Sequence, residues 1–417
     1  MAQARGRGAQ HFPGTTLKMT SQHRVSIAMA GFFLLNAVIG GCKLPGSGPK
    51  ILWQFTADDG IIATPALAGD GTIYFTTAKY LYALSPEGKL KWRYFAGAEI
   101  TTSPVVASDG TVYIADNTCV LHELNADGSK RNVFALSSPA AGSMHQALCW
   151  RPATPSVAAD DLLYVADTTG WVLAIDPASG ERTERFRQVG GEASPEIPAL
   201  GKAVEGGGAL QFFDIDGNVI WTIRLEGSKF RIPAISANGV IAVAGWDQKL
   251  HVYDFSGQTK WEYSGDWRTN PVIGADGTIF VGDGDGMEAL RADGTELWHA
   301  AVQLPGSPAL AADGTLYVPA QDLGKGKNGQ TLFGLYAINQ KGEIKWHVPV
   351  DALIEHGPAI APDGTIYFGT LNGGAPGVRA DVGTLYAIRE KNGGLMGGGW
   401  PKSYGSPAND GRAPATR

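Results

Sequence analysis

From residue 51 onward the chain is a succession of short apolar runs separated by glycine, proline, aspartate and asparagine. Ile73-Tyr74-Phe75 and Leu81-Tyr82-Ala83-Leu84 are continuous apolar runs, as strands buried on both faces are. No stretch after residue 50 is long, of helical period and free of glycine and proline. The pattern predicts an all-β protein.

The runs repeat. One unit reads small residue, proline, apolar strand, Asp-Gly-Thr, apolar-Tyr strand, loop, Leu-Tyr-Ala-Leu, glycine turn, tryptophan strand. Its clearest copy is Thr64-Pro65, Asp70-Gly71-Thr72-Ile73-Tyr74, Leu81-Tyr82-Ala83-Leu84, Glu87-Gly88-Lys89 and Trp92. The proline recurs at Pro65, Pro104, Pro155, Pro195, Pro233, Pro271, Pro308 and Pro358, at intervals of 37 to 51 residues. This predicts eight units, two of them lengthened by insertions.

Each unit reads as four antiparallel strands, A to D. Asp-Gly pairs such as Asp70-Gly71 and Asp109-Gly110 suit two-residue hairpin turns between A and B, which need positive φ. Glu87-Gly88 and Asp293-Gly294 serve between C and D. Units of four short strands with a period near forty are propeller blades. The expected fold is therefore an eight-bladed β-propeller spanning residues 51–404, with a tail over 405–417.

Trp92, Trp221, Trp261, Trp298 and Trp346 recur on strand D, where a large flat side chain can fill the wedge between blades. Phe134 and Phe186 are expected in that place in units 2 and 3. Trp53 lies 12 residues before Pro65, as Trp92 lies 12 before Pro104. Residues 51–55 are accordingly expected as the outer strand of blade 8. That would close the ring and remove an exposed strand edge.

The first fifty residues follow different rules. Arg24 precedes an apolar run over residues 25–39, with Gly40, Gly41 and Cys42 after it. This is the order of a signal peptide: positive start, apolar centre, small residues before cleavage. Ile39-Gly40-Gly41-Cys42 resembles the bacterial lipobox, whose cysteine is acylated; the alternative is an ordinary signal peptide with an incidental cysteine. The expectation is a signal over 1–41, lipidated Cys42, and a linker over 42–50. Lys43, rather than aspartate, follows the cysteine, and by the same resemblance this implies an outer-membrane lipoprotein. Translation from Met19 would give a signal of more usual length.

The formal charge is −6, and residues 1–41 contribute four basic side chains and no acid. The remainder is thus more acidic still, which disfavours nucleic acid as a partner. No Cys-x-x-Cys-His haem site and no Gly-x-Ser-x-Gly elbow occur. Asp283-Gly284-Asp285-Gly286 with Glu288 admits two readings, a calcium loop or an ordinary B–C hairpin.

Ala83-Leu84-Ser85-Pro86-Glu87-Gly88-Lys89-Leu90-Lys91-Trp92 and Ala337-Ile338-Asn339-Gln340-Lys341-Gly342-Glu343-Ile344-Lys345-Trp346 resemble the tryptophan-docking repeat of the pyrroloquinoline quinone (PQQ) propeller superfamily. The resemblance covers about residues 51–400. The superfamily includes quinone-dependent dehydrogenases, which use PQQ with calcium, and non-enzymatic BamB-like outer-membrane lipoproteins. The dehydrogenases typically carry adjacent cysteines; this chain has three cysteines, none adjacent to another. The layout resembles the BamB-like group. That implies a monomeric interaction scaffold without a cofactor, held to the membrane by its lipid and binding envelope proteins or peptides. A PQQ-binding oxidoreductase is the competing reading.

Strand direction sorts the loops. The A–B and C–D turns share one face and are tight. The B–C loops and D-to-A connections share the other and hold the insertions, so function is expected there, near the channel mouth. Residues just before the A-strand prolines point to that mouth: Arg151, Glu192, Arg231, Trp267, Arg268, Glu355 and His356. They could bind a peptide or small anion, or simply solvate a wet channel. Cys119 and Cys149 are expected on this face, either as a disulfide or as two buried thiols.

Overall fold

A computed structural model describes residues 46–136, 154–157, 162–166, 171–177, 179, 181–187, 202–206, 209–213, 219–224, 231–236, 238–303, 305–325, 331–350, 352–371, 382–397, 402–403, 405–407 and 409. Every regular element among them is a β-strand, and the strands form eight sheets. The chain has the architecture of a β-propeller. Sheet 1 is typical: Ala66–Leu67 (A), Ile73–Thr76 (B), Tyr80–Leu84 (C) and Leu90–Phe95 (D), each antiparallel to the next. Sheets 2, 3, 5 and 6 repeat that order. Sheet 4 has three strands among the described residues, Lys202–Gly206, Ala209–Phe213 and Val219–Arg224.

Sheet 8 takes strands from both ends of the domain. Ala359–Ile360, Thr365–Gly369 and Thr384–Arg389 come from the C-terminal part, and Ile51–Thr56 pairs antiparallel with the last of them. Trp53 faces Ala387 across this pair, and the register shifts one step before it. Trp92 opposite Ala83 has a shift at the same place, as does Trp298 opposite Ala289. Part of the expected linker is also ordered: Gly46–Ser47 runs parallel to Ile344–Val350 on the outer edge of sheet 7.

The burial pattern explains the sequence pattern. Strands B and C of sheet 1 are almost wholly buried, whereas D alternates between exposed and half-buried positions. The inner strands are covered on both faces, and the outer strand meets solvent on one.

The Asp-Gly-Thr signature is a turn device, but not of the expected size. In the first A–B turn Gly71 N–H donates to Ala68 O and Ala68 N–H to Thr72 O, which makes a three-residue loop. Only the glycine has positive φ, at 83°. The loop is thus a turn with a bulge glycine rather than a two-residue hairpin. The aspartate then accepts from the threonine: Thr72 N–H and Oγ1 donate to Asp70 at 2.9 and 2.8 Å. Asp109, Asp276, Asp313 and Asp363 accept the same backbone bond.

Neighbouring sheets are joined through the tryptophans. All of the outer-strand tryptophans but Trp346 donate the indole N–H to a carbonyl in the C–D turn of the following sheet. Trp92 bonds Ala126, Trp221 bonds Phe255, Trp261 bonds Ala292 and Trp298 bonds Gln340, at 2.9–3.0 Å. The indole lies over the turn glycine: a Cβ on Gly128 would meet the Trp92 ring at 2.5 Å. Trp53 bonds Pro86 at 2.8 Å, from sheet 8 to sheet 1. Sheet 8 has no C–D hairpin, because its fourth strand comes from the N-terminal end. Trp346 therefore bonds the carboxylate of Glu390 at 3.2 Å, which also takes Lys345 and the Tyr317 hydroxyl.

Phe134 and Phe186 do not occupy the tryptophan place. The register puts Asn132 there in sheet 2, opposite Glu123, and Thr183 in sheet 3, opposite Ala174. Phe134 sits two residues further on, equivalent to Tyr94, and is buried in the sheet 2 core. The place is fixed by pairing with a given residue of strand C, which an aromatic count along the sequence does not resolve.

Candidate functional site

At four of the described positions the residue before the inner-strand proline binds the next sheet. Thr64 N–H donates to Ser103 Oγ and Ser103 N–H to Thr154 Oγ1, both at 3.2 Å. Ile232 N–H donates to Asn270 Oδ1 and Asn270 N–H to Ser307 Oγ. Proline forces this residue to extended backbone, and a short polar side chain satisfies a backbone donor that no strand partner reaches. The sequence signal was the recurring small residue before proline; its polarity was the part overlooked.

The C-terminal segment runs over these inner strands. Met396 N–H bonds Leu310 O, and Leu395 and Lys402 bridge to Ala311 and Ala309 of sheet 7. Ser403 Oγ accepts from Asn270 Nδ2 in sheet 6, and Pro407 O accepts from Leu67 N–H in sheet 1. Asn409 donates to Thr64 O and Pro104 O, at 2.9 and 3.1 Å. Lys402 is fully buried and bonds Ser406 O and the Asn409 side chain. Of the residues expected as a tail over 405–417, those described, 405–407 and 409, are packed against the domain.

Ser403 of this segment also lines a pocket of about 420 Å³ on the loop-rich face. Four of the residues singled out from the sequence line it: Arg231, Arg268, Glu355 and His356. Arg231 is half-buried, and its Nε donates to Trp267 O at 3.1 Å. Arg268 is exposed and pairs with Asp266 at 2.7 Å. Glu355 lies 3.8 Å from the His356 ring. Burial holds the His356 imidazole below its ordinary pKa, against the opposing pull of the Glu355 charge. Asn270 and Ser403 contribute polar groups, and Leu353 and Ile354 an apolar wall.

The other sequence expectations separate. Trp267 does not face the mouth: it is 4% exposed, packed in the core against Tyr263, with its indole donating to Tyr263 O. Arg151, Glu192, Cys42 and Cys149 lie outside the described residues. Cys119 is buried at the B–C turn of sheet 2 with φ of 62°, and it is disulfide-bonded. Asp283 spends its carboxylate on its own turn, accepting from the Asp285 and Gly286 backbones at 2.8 Å. Glu288 bonds His299 instead. The segment is a capped hairpin, and no group of three or more His, Cys, Asp or Glu that could hold a metal occurs among the described residues. Among the described residues lining the pocket, Glu355 is the carboxylate.

A family model described as outer membrane protein assembly factor BamB matches residues 46–192 and 206–327. The chain belongs to the BamB family. It is also similar to the crystal structure of BamB from Moraxella catarrhalis, with a TM-score of 0.62 at 16% identity; the match covers 82% of this chain and all of that one. At that identity the likeness concerns the fold. No curated protein matches the chain.

Proposed function

We propose that this BamB-family member is a non-enzymatic envelope lipoprotein whose propeller is a scaffold binding other envelope proteins through its loop-rich face. The observation that carries the reading is the convergence of Arg231, Arg268, Glu355 and His356 on one pocket of that face. Trp246 adds to it: this B–C loop indole of sheet 5 is 64% exposed, and exposed aromatics and arginines are over-represented where binding energy concentrates. The family's own description, an outer-membrane assembly factor, agrees with such a role.

Attachment through Cys42 places the protein at the outer membrane. Affinity capture of the intact protein from solubilised envelopes, followed by mass spectrometry, tests the scaffold role. Stable envelope partners are expected, and substitution of Arg268 and Glu355 by Gln should weaken their recovery. Recovery of none, or recovery indifferent to these substitutions, opposes it. Cys42→Ala should abolish acylation and release the protein from membranes; unchanged processing and fractionation would contradict the anchor.

A further inference from the structure

Charge is divided across the mouth of the pocket. Arg231 and Arg268 precede the inner strands of sheets 5 and 6. Glu355 precedes that of sheet 8, and the connection through Pro305 and Ser307 of sheet 7 lies between. The Arg231 guanidinium is held against the Trp267 carbonyl, next to Arg268 in the chain, so the two cations share one wall. Asp266 engages Arg268 through two hydrogen bonds. Leu353 and Ile354 add apolar lining to the pocket. Asn270, bonded to Ser403, adds polar lining.

Guanidinium groups from sheets 5 and 6, a carboxylate before sheet 8 and apolar lining make a dipolar pocket. We infer that it receives a short peptide unit carrying a carboxylate and a cation on either side of an apolar side chain. The carboxylate would lie against Arg231 and Arg268, and the cation against Glu355. Guanidinium pairs with carboxylate in forked geometry, and a volume of about 420 Å³ is in the range of small-ligand sites. The inference rests on the reading of the loop-rich face as the working face, and names the chemistry it selects.

Two sources supply this chemistry: the free termini of a short peptide, or an acid and a base within a partner's chain. Calorimetric titration of the full-length protein separates them. The probes are leucyl-leucine with free termini, acetyl-glutamyl-leucyl-lysine amide, and acetyl-leucyl-leucine amide as the uncharged control. At least one charged probe should bind about tenfold tighter than the control, because it adds charge-assisted hydrogen bonds. Preference for leucyl-leucine assigns a free peptide; preference for the capped probe assigns an internal segment. Arg268→Gln and Glu355→Gln, both at exposed side chains that the fold does not need, should each erase most of the preference. Equal binding of all three, or no binding at millimolar concentration, overturns the inference. If envelope partners are still captured in that case, only the peptide chemistry fails; if capture fails too, the scaffold reading falls with it.

Discussion

The indole N–H of Trp53 donates to the carbonyl of Pro86 at 2.8 Å, so the first long strand of the domain, as the edge of sheet 8, holds the hairpin of sheet 1. It is the same contact that Trp92 makes from sheet 1 to sheet 2. Trp53→Ala should lower unfolding stability by about 3 kcal/mol, as loss of a large packed aromatic does. Deleting residues 51–55 should cost more, because it also exposes the edge of Thr384–Arg389. Denaturant unfolding of the two variants measures both; stability equal to the parent would mean that this strand does not hold the ends together.

The glycine beneath that indole gives a sharper test. Gly88 has φ of 79°, and a Cβ there would stand 2.5 Å from the Trp53 ring. Gly97 has φ of 91° and nothing within 4 Å of a Cβ. Gly97→Ala should cost only the backbone penalty, roughly 1–2 kcal/mol. Gly88→Ala should cost clearly more, the excess measuring displaced indole contact. Equal losses in thermal unfolding would refute the docking role of Trp53.

Much of this was legible in the sequence. Proline spacing located the inner strands, and the distance from Trp53 to Pro65 placed the N-terminal strand, because both reflect local backbone demands repeated in each unit. The replacement of the tryptophan by Asn132 and Thr183 was not legible, since it depends on register across a bulge. The C-terminal segment was not legible either. Ser403 and Asn409 are buried, and they bond Asn270 and Thr64, groups far away in sequence. At the site, the charged residues before the prolines were visible, but Trp267 was misplaced: its side chain turns into the core while its carbonyl serves Arg231.

A buried and a half-buried carboxylate should titrate with opposite effect on stability. Glu123 fills the space opposite Asn132, and one of its oxygens is buried without a hydrogen-bond partner. Burial raises its pKa despite the Arg131 charge. A raised folded-state value means that stability is greatest below the ordinary value of 4.5 and declines as pH rises through the folded value. Burial would raise Glu390 too, but Lys345, Tyr317 and Trp346 hold it below its ordinary value. Its contribution is present above 4.5 and is lost as pH falls through the folded value. Relative to the parent, Glu123→Gln should gain stability as pH rises above 4.5, whereas the deficit of Glu390→Gln should be full above 4.5 and shrink as pH falls below it. Melting curves on both sides of that pH decide; parallel curves for parent and variants would show that neither carboxylate is perturbed.

Cys119 is disulfide-bonded, and we expect its partner to be Cys149. Closing a loop of about 30 residues stabilises by roughly 3 kcal/mol in the chain-entropy model. Reduction should lower the melting temperature, and Cys149→Ser should release one thiol, countable in unfolded, unreduced monomer. Retention of the Cys119 bond in Cys149→Ser would transfer the pairing to Cys42 and remove the lipid anchor with it.

Purified protein given PQQ and calcium is expected to turn over neither alcohols nor sugars. Stoichiometric quinone binding with dye reduction by any such substrate would restore the oxidoreductase reading.

The scaffold account stands or falls on which face meets partners. A photo-crosslinking residue placed at position 246 or 355 samples the loop-rich face, and one at 87 or 341, both in exposed C–D turns, samples the other. After irradiation of intact envelopes, adducts to envelope proteins are predicted from 246 and 355 and not from 87 and 341. Adducts confined to 87 and 341 would contradict the account.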